Sequence, residues 1–183
     1  MTEEQPVSAM GGQECPFCRE KTLTLSEQER EIAYFGKVYL FSMSCSSCKY
    51  HKSDVECADH HDPARYTLEV TSAEDMSIRI VKSSEATVKI AHIGSIEPGE
   101  AANGYISNVE GILQRMKHAI EIAKETAEDD DEANKARNLI KKINRVVFGD
   151  EKIKIVIEDP TGNSAIISEK AIKEPMKGKK SKD

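Results

Sequence analysis

Apolar and polar residues alternate along several short stretches of the chain, and a period of two places one set of side chains on one face of a strand. Thr22 to Leu25 and Lys37 to Cys45, rich in Thr, Val, Leu, Tyr and Phe, predict two strands, with Tyr34-Phe35-Gly36 turning the chain between them. Tyr66 to Val70, Met76 to Lys82 and Ala86 to Ile90 predict three more. The alternation is clearest in Ser77-Ile-Arg-Ile-Val-Lys82 and Ala86-Thr-Val-Lys-Ile90. Glu97-Pro-Gly-Glu100 and Asn103-Gly104 carry turn residues. Lys152 to Glu158 alternates again, and beyond the turn Asp159-Pro-Thr-Gly-Asn163 the segment Ala165 to Ser168 predicts a returning β-hairpin.

Between these strands the period changes to that of a helix. Ser107-Asn-Val-Glu110 has the form of a capping box, which supplies partners to backbone N–H groups at a helix start. Val109, Ile112, Leu113, Met116, Ile120 and Ala123 then form one apolar stripe. The acidic run Glu128 to Glu132 interrupts it and favours the start of a second helix through the helix dipole. Ala136, Leu139, Ile140, Ile143, Val146 and Val147 resume the spacing, and Gly149 follows as a left-handed cap. A helical hairpin over about 107–148 is therefore expected inside the β region.

The remaining segments lack periodicity. Residues 1–14, including Gly11-Gly12, read as a disordered leader. The polar stretch Lys49 to Arg65 reads as a linker, and 171–183, with Lys177-Gly-Lys-Lys-Ser-Lys182, as a basic disordered tail. The expected division is a metal module at 15–57 and a larger β domain at 58–170.

Composition narrows the classes. No apolar run reaches the length of a membrane span, and Met1 to Gly12 lacks the positive start and apolar run of a secretory signal, so a cytoplasmic location is expected. A net charge of −6 argues against a general electrostatic grip on nucleic acid.

In a reducing compartment, five cysteines set as two close pairs and a straggler read as metal ligands rather than disulfides. Cys15-Pro-Phe-Cys18 and Cys45-Ser-Ser-Cys48 each present two thiolates from one tight knuckle. Residues 19–44 between them suffice for a strand out and a strand back, the layout of a zinc ribbon with one Zn2+ on Cys15, Cys18, Cys45 and Cys48. Four thiolates leave no open position for water or substrate, so the metal is expected to be structural. His51, Cys57, His60 and His61 form a second group with possible ligand chemistry, although their spacing matches no familiar closed site. His92 and His118 read as ordinary, partly buried histidines. No nucleophile–base set, phosphate-binding glycine loop or carboxylate pair is apparent, and no enzymatic activity is expected.

Taken in order, a set of motifs resembles the ZPR-type zinc-finger proteins, partners of the tRNA-carrying translation elongation factor one-alpha. They are Cys15-Pro-Phe-Cys18, Tyr34-Phe35-Gly36, Cys45-Ser-Ser-Cys48 with Ser53-Asp54-Val55, Val81-Lys-Ser83, Asn108-Val-Glu-Gly-Ile-Leu113, and Glu158-Asp-Pro-Thr-Gly-Asn-Ser164. The family's second pair is usually followed by Gly, where this chain has Lys49. Eukaryotic members carry two copies of the finger and β domain, and the single copy here resembles the archaeal form. The resemblance implies a mainly β fold: a zinc ribbon followed by a double-stranded β-helix, β-sandwich-like, with an inserted α-helical hairpin. It also implies binding to the elongation factor one-alpha GTPase and assistance in its folding or regulation. Phe17 beside the first knuckle and the outer face of the hairpin are the expected contact surfaces. A nucleic-acid-binding ribbon using Arg19, Lys21, Lys49 and Lys52 is the alternative, and the acidic total places it second.

Overall fold

A computed structural model describes residues 7–33, 35–59, 61–99 and 102–176. Met1 to Pro6 of the expected leader, Tyr34, His60, Glu100, Ala101 and the lysine-rich 177–183 lie outside the described residues.

The first module is a four-stranded antiparallel sheet of β1 (Ser8–Gln13), β2 (Leu23–Ile32), β3 (Gly36–Cys45) and β4 (His51–Cys57), in that order. β2 and β3 pair over their whole length, from Leu23 opposite Cys45 to Ile32 opposite Gly36. Two expectations change here. Residues 8–13 are a strand on the β2 edge rather than a leader, with an irregularity between Met10 and Gln13 where Gly11-Gly12 lie. Residues 51–57 are not linker but the other edge strand, held by seven register pairs from Val38–Cys57 to Ser44–His51. Both are polar, as edge strands that face solvent generally are.

The second module holds two antiparallel sheets. One runs β12 (Ile172–Pro175), β5 (Ala64–Val70), β10 (Ile153–Asp159), β7 (Thr87–Ile90), β8 (Gly94–Ile96); the other runs β11 (Ala165–Ile167), β6 (Arg79–Lys82), β9 (Tyr105–Asn108). Alternation in β5 and β10 buries Tyr66, Leu68 and Val70 beside Ile153, Ile155 and Ile157. These join Ile80, Val88 and the helices in one core, the interior of a jelly-roll sandwich. Ile153–Asp159 and Ala165–Ile167 do not form the expected hairpin: the Asp159–Asn163 turn carries the chain from one sheet to the other. Residues 172–175 of the expected tail instead extend the larger sheet, pairing Ile172 with Thr67 and Pro175 with Ala64. The stretch Met76 to Lys82 divides into a short 3-10 helix, Ala73–Ser77, and β6.

The helical hairpin consists of α1 (Val109–Glu125) and α2 (Asp130–Val147). Ser107 is committed to β9 opposite Ile80, so capping passes to Asn108, whose Oδ1 accepts the Gly111 N–H at 2.8 Å. The acidic run opens α2, with Asp129 Oδ1 accepting the Glu132 N–H at 2.7 Å. Gly149, at φ 82°, ends it in the left-handed region. Val109, Ile112, Leu113 and Met116 at the start of α1 and Ile143 and Val146 at the end of α2 enter the core, while Ile122 near the tip is 51% exposed. The hairpin is rooted in the sandwich and its far half stands in solvent.

The two modules share a seam. Ile32, Val38 and Val55 of the first pack with Val81 of the second, with Leu40 and Ile106 against them. Polar bonds flank this apolar contact. Asp54 Oδ1 accepts the Ser84 N–H at 2.8 Å and Oδ2 accepts the Ser84 hydroxyl. Asn103 Oδ1 accepts the Ser53 N–H at 2.7 Å, and Asn163 Oδ1 accepts the Cys57 N–H at 3.1 Å. A step away, Ser83 donates its hydroxyl to Asp159, and Ser164 accepts the Ser83 N–H.

Candidate metal centre

Each cysteine pair is built on the same local hydrogen-bond pattern. In the first knuckle the Arg19 N–H reaches the Cys15 carbonyl at 2.9 Å and the Cys15 N–H reaches the Glu20 carbonyl at 2.9 Å. In the second the Lys49 N–H reaches the Cys45 carbonyl at 3.1 Å and the Cys45 N–H reaches the Tyr50 carbonyl at 2.8 Å. Closing so tight a loop drives the residue after each pair into the left-handed region, Arg19 at φ 62° and Lys49 at φ 63°. This is why glycine suits the Lys49 position. Side-chain Nζ of Lys49 bonds the Ser46 carbonyl at 2.9 Å and helps hold the turn.

The knuckles meet because β2 and β3 run antiparallel and bring Leu23 opposite Cys45. The four Sγ atoms of Cys15, Cys18, Cys45 and Cys48 all lie within 4.8 Å of one another. Cys15–Cys48 is 3.7 Å and Cys18–Cys45 is 3.6 Å. A tetrahedron of thiolates at zinc–sulfur distance has an edge of roughly 3.8 Å, so the set fits a zinc ion. Cys15 and Cys45 are buried with Leu23, while Cys48 faces outward.

The proton chemistry suits metal loading. The Thr22 hydroxyl, 3.2 Å from Cys45 Sγ, and then the Cys48 N–H bring the Cys45 thiol down to about 6. A backbone N–H bond at Glu20 pulls the other way at Cys18, but burial and three neighbouring sulfurs outweigh it and push that thiol up to about 12. Cys45 therefore ionises more readily than Cys18, which releases its proton to the incoming cation. Phe17 is 74% exposed at the tip of the first knuckle, with its ring centroid 4.7 Å from that of Tyr50.

Of the second sequence group, His60 lies outside the described residues, and His51, Cys57 and His61 form no ligand cluster. His51 and Cys57 stand at opposite ends of β4, and His51 Nδ1 lies 2.9 Å from the Ser44 hydroxyl. Burial, then Asp159 and Asp59, push the Cys57 thiol up to about 11. The His61 ring stacks on Phe35, centroids 5.4 Å apart, on the wall of a cavity of about 540 Å3. Among the described residues the four cysteines are the one group positioned to hold a metal ion. His92 and His118 are exposed rather than partly buried. Arg19, Lys21 and Lys49 are exposed and Lys52 half-buried. Among the described residues no helix is long and apolar enough to cross a membrane.

Comparison with known proteins adds the same division. A ZPR1 zinc-finger domain matches residues 10–63 and a ZPR1 jelly-roll domain matches residues 74–182. A ZPR1-like protein of Methanocaldococcus jannaschii is 35% identical over 158 residues, 85% of this chain and 80% of that protein. One of Pyrococcus horikoshii is 36% identical over 162 residues, 86% of this chain and 73% of that protein. The zinc finger chaperone zpr1 of Schizosaccharomyces pombe is 31% identical over 142 residues, 74% of this chain but 30% of that protein.

Proposed function

Because the chain belongs to the ZPR1 family, we propose that it is a zinc-dependent, non-enzymatic protein-binding module that holds one structural zinc ion on Cys15, Cys18, Cys45 and Cys48. Its partner on this reading is the cytoplasmic translation elongation factor one-alpha GTPase, whose folding or regulation it assists. The observation that carries the reading is the closed four-sulfur site. A cation filled to four coordination by thiolates has no position left for a substrate, which makes the metal a means of shaping a surface. The Phe17–Tyr50 pair beside that site and the projecting half of the hairpin are surfaces a protein can use. The name of the fission-yeast relative, a zinc finger chaperone, supports the assisting role.

The test is an affinity pull-down with zinc-loaded protein from a lysate containing the elongation factor. A Cys45→Ser, Cys48→Ser variant and a nuclease-treated lysate run in parallel. Capture of the elongation factor by the zinc-loaded form alone, indifferent to nuclease, is the expected result. Capture of nucleic acid or ribosomal material that disappears with nuclease overturns it in favour of a nucleic-acid ribbon using Arg19, Lys21, Lys49 and Lys52.

A further inference from the structure

On β6 the side chains of Arg79 and Val81, two residues apart, lie on one face of the strand. Val81 packs into the seam with the first module, together with Ile106 and Leu40. Beyond that contact the seam opens into a cleft of about 490 Å3, lined by Arg79, Ser107 and Asn108 from the sandwich and by Arg30 of β2 from the ribbon, with Leu40 and Ile106 as its apolar wall. Neither module alone supplies both guanidinium groups.

Ser77 of the same lining spends its hydroxyl on the Glu74 carbonyl at 2.9 Å, but the arginines keep donors to spare. The Arg79 side chain makes no hydrogen bond or ion pair among the described residues, and the Arg30 side chain uses only its Nε, toward Gln28 at 3.2 Å. Asn108 has its Oδ1 taken by the Gly111 N–H, which leaves its amide N–H groups unclaimed. Among the described residues no carboxylate lines the space, although the chain as a whole carries a net charge of −6. Planar guanidinium forks match phosphate oxygens, and two arginines lining one cleft point to a place for a phosphate. The volume exceeds what a bare ion occupies and falls in the range of small-molecule sites.

We propose that this inter-module cleft binds a small organic phosphate, with the phosphate between Arg30 and Arg79 and its apolar portion against Leu40 and Ile106. The assignment does not rest on the elongation-factor reading.

The experiment is calorimetric titration of the zinc-loaded full chain, at fixed ionic strength, with phenyl phosphate, inorganic phosphate and phenol. Phenyl phosphate is expected to bind several-fold more tightly than inorganic phosphate, and phenol not at all. Arg79→Gln and Arg30→Gln should each weaken binding on the order of tenfold. Both side chains are exposed, so the variants should unfold at the wild-type temperature without ligand. Lys152→Gln, at a separate cavity bounded by His92, Lys142 and Lys154, should keep wild-type affinity. Absence of phenyl phosphate binding, equal binding of the two phosphates, indifference to Arg79→Gln, or equal loss in Lys152→Gln would each overturn the proposal.

Discussion

Asp54, on the ribbon's edge strand, grips Ser84 of the sandwich twice, accepting its backbone N–H on one carboxylate oxygen and its hydroxyl on the other. The first of these oxygens also accepts the Val55 N–H at 2.8 Å, so three donors depend on one carboxylate. Gly104 lies against this group, where a Cβ would stand 2.8 Å from the Val55 nitrogen. Asp54→Ala leaves all three donors without their partner at a part-buried seam, and a cost of about 2–4 kcal/mol is expected. Urea unfolding followed by circular dichroism measures it. A loss under 0.5 kcal/mol would mean that water replaces the carboxylate and that the apolar seam alone docks the modules.

Zinc loading should depend on pH with a definite sign. Binding displaces protons from thiols, of which Cys45 is held down to about 6 and Cys18 up to about 12. Apparent affinity should therefore rise from pH 6 upward, on the order of tenfold per pH unit for each proton released. Competition against a chromophoric chelator at pH 6, 7 and 8 reads this directly, and metal analysis should return one zinc per chain. Flat affinity across that range would mean the thiols are already ionised in the apo protein.

Lys49 occupies a left-handed turn position at φ 63°. Replacing it with glycine removes the steric penalty of a Cβ there but frees the unfolded chain, and the exposed bond to Ser46 is lost. The net expectation for Lys49→Gly is a gain of about 0.5–1 kcal/mol in the zinc-loaded protein. Thermal unfolding of the two proteins side by side decides it, and a lower midpoint for the variant would show that the lysine's own contacts outweigh the strain.

Asp75 is 3% exposed in the sandwich. Burial by itself would raise its carboxyl, but the ion pair with Lys170 at 2.6 Å and the bonds from the Thr71 N–H and hydroxyl outweigh burial and hold it below the usual carboxylate range. A folded value below the unfolded one contributes stability that is present above about pH 3.9 and is lost as pH falls through the folded value. Asp75→Asn should cost about 1–3 kcal/mol at pH 6, with the gap to wild type closing as the pH drops below 4. A gap that stays constant down to pH 3 would place the effect in packing rather than in the charge.

The cysteine knuckles, the helical hairpin and the alternating strands β5, β7 and β10 are legible in the sequence because each is written in residues a few positions apart. Edge strands are not. Residues 8–13, 51–57 and 172–175 are polar and owe their conformation to partners elsewhere, such as Thr67 opposite Ile172. The helix cap moved from Ser107 to Asn108 because β9 pairing, invisible locally, holds Ser107 extended. The motifs Ser53-Asp54-Val55, Val81-Lys-Ser83 and Asp159 to Ser164 stand out one by one, yet only the fold shows that they meet along a single seam. The Arg30–Arg79 cleft was hidden for the same reason: its two cations come from different modules.

The bond from the Cys57 N–H to Asn163 spans 106 residues of chain. During synthesis, all four cysteines leave the ribosome long before Asn163 does, so the ribbon can take up its metal while the surface it will rest on does not yet exist. Its inner face, with Ile32, Val38 and Val55, stays uncovered for as long as it takes to translate the sandwich. The order of emergence thus leaves room for a stage that is metallated but undocked, in which Ile32, Val38 and Val55 wait for Val81 to cover them.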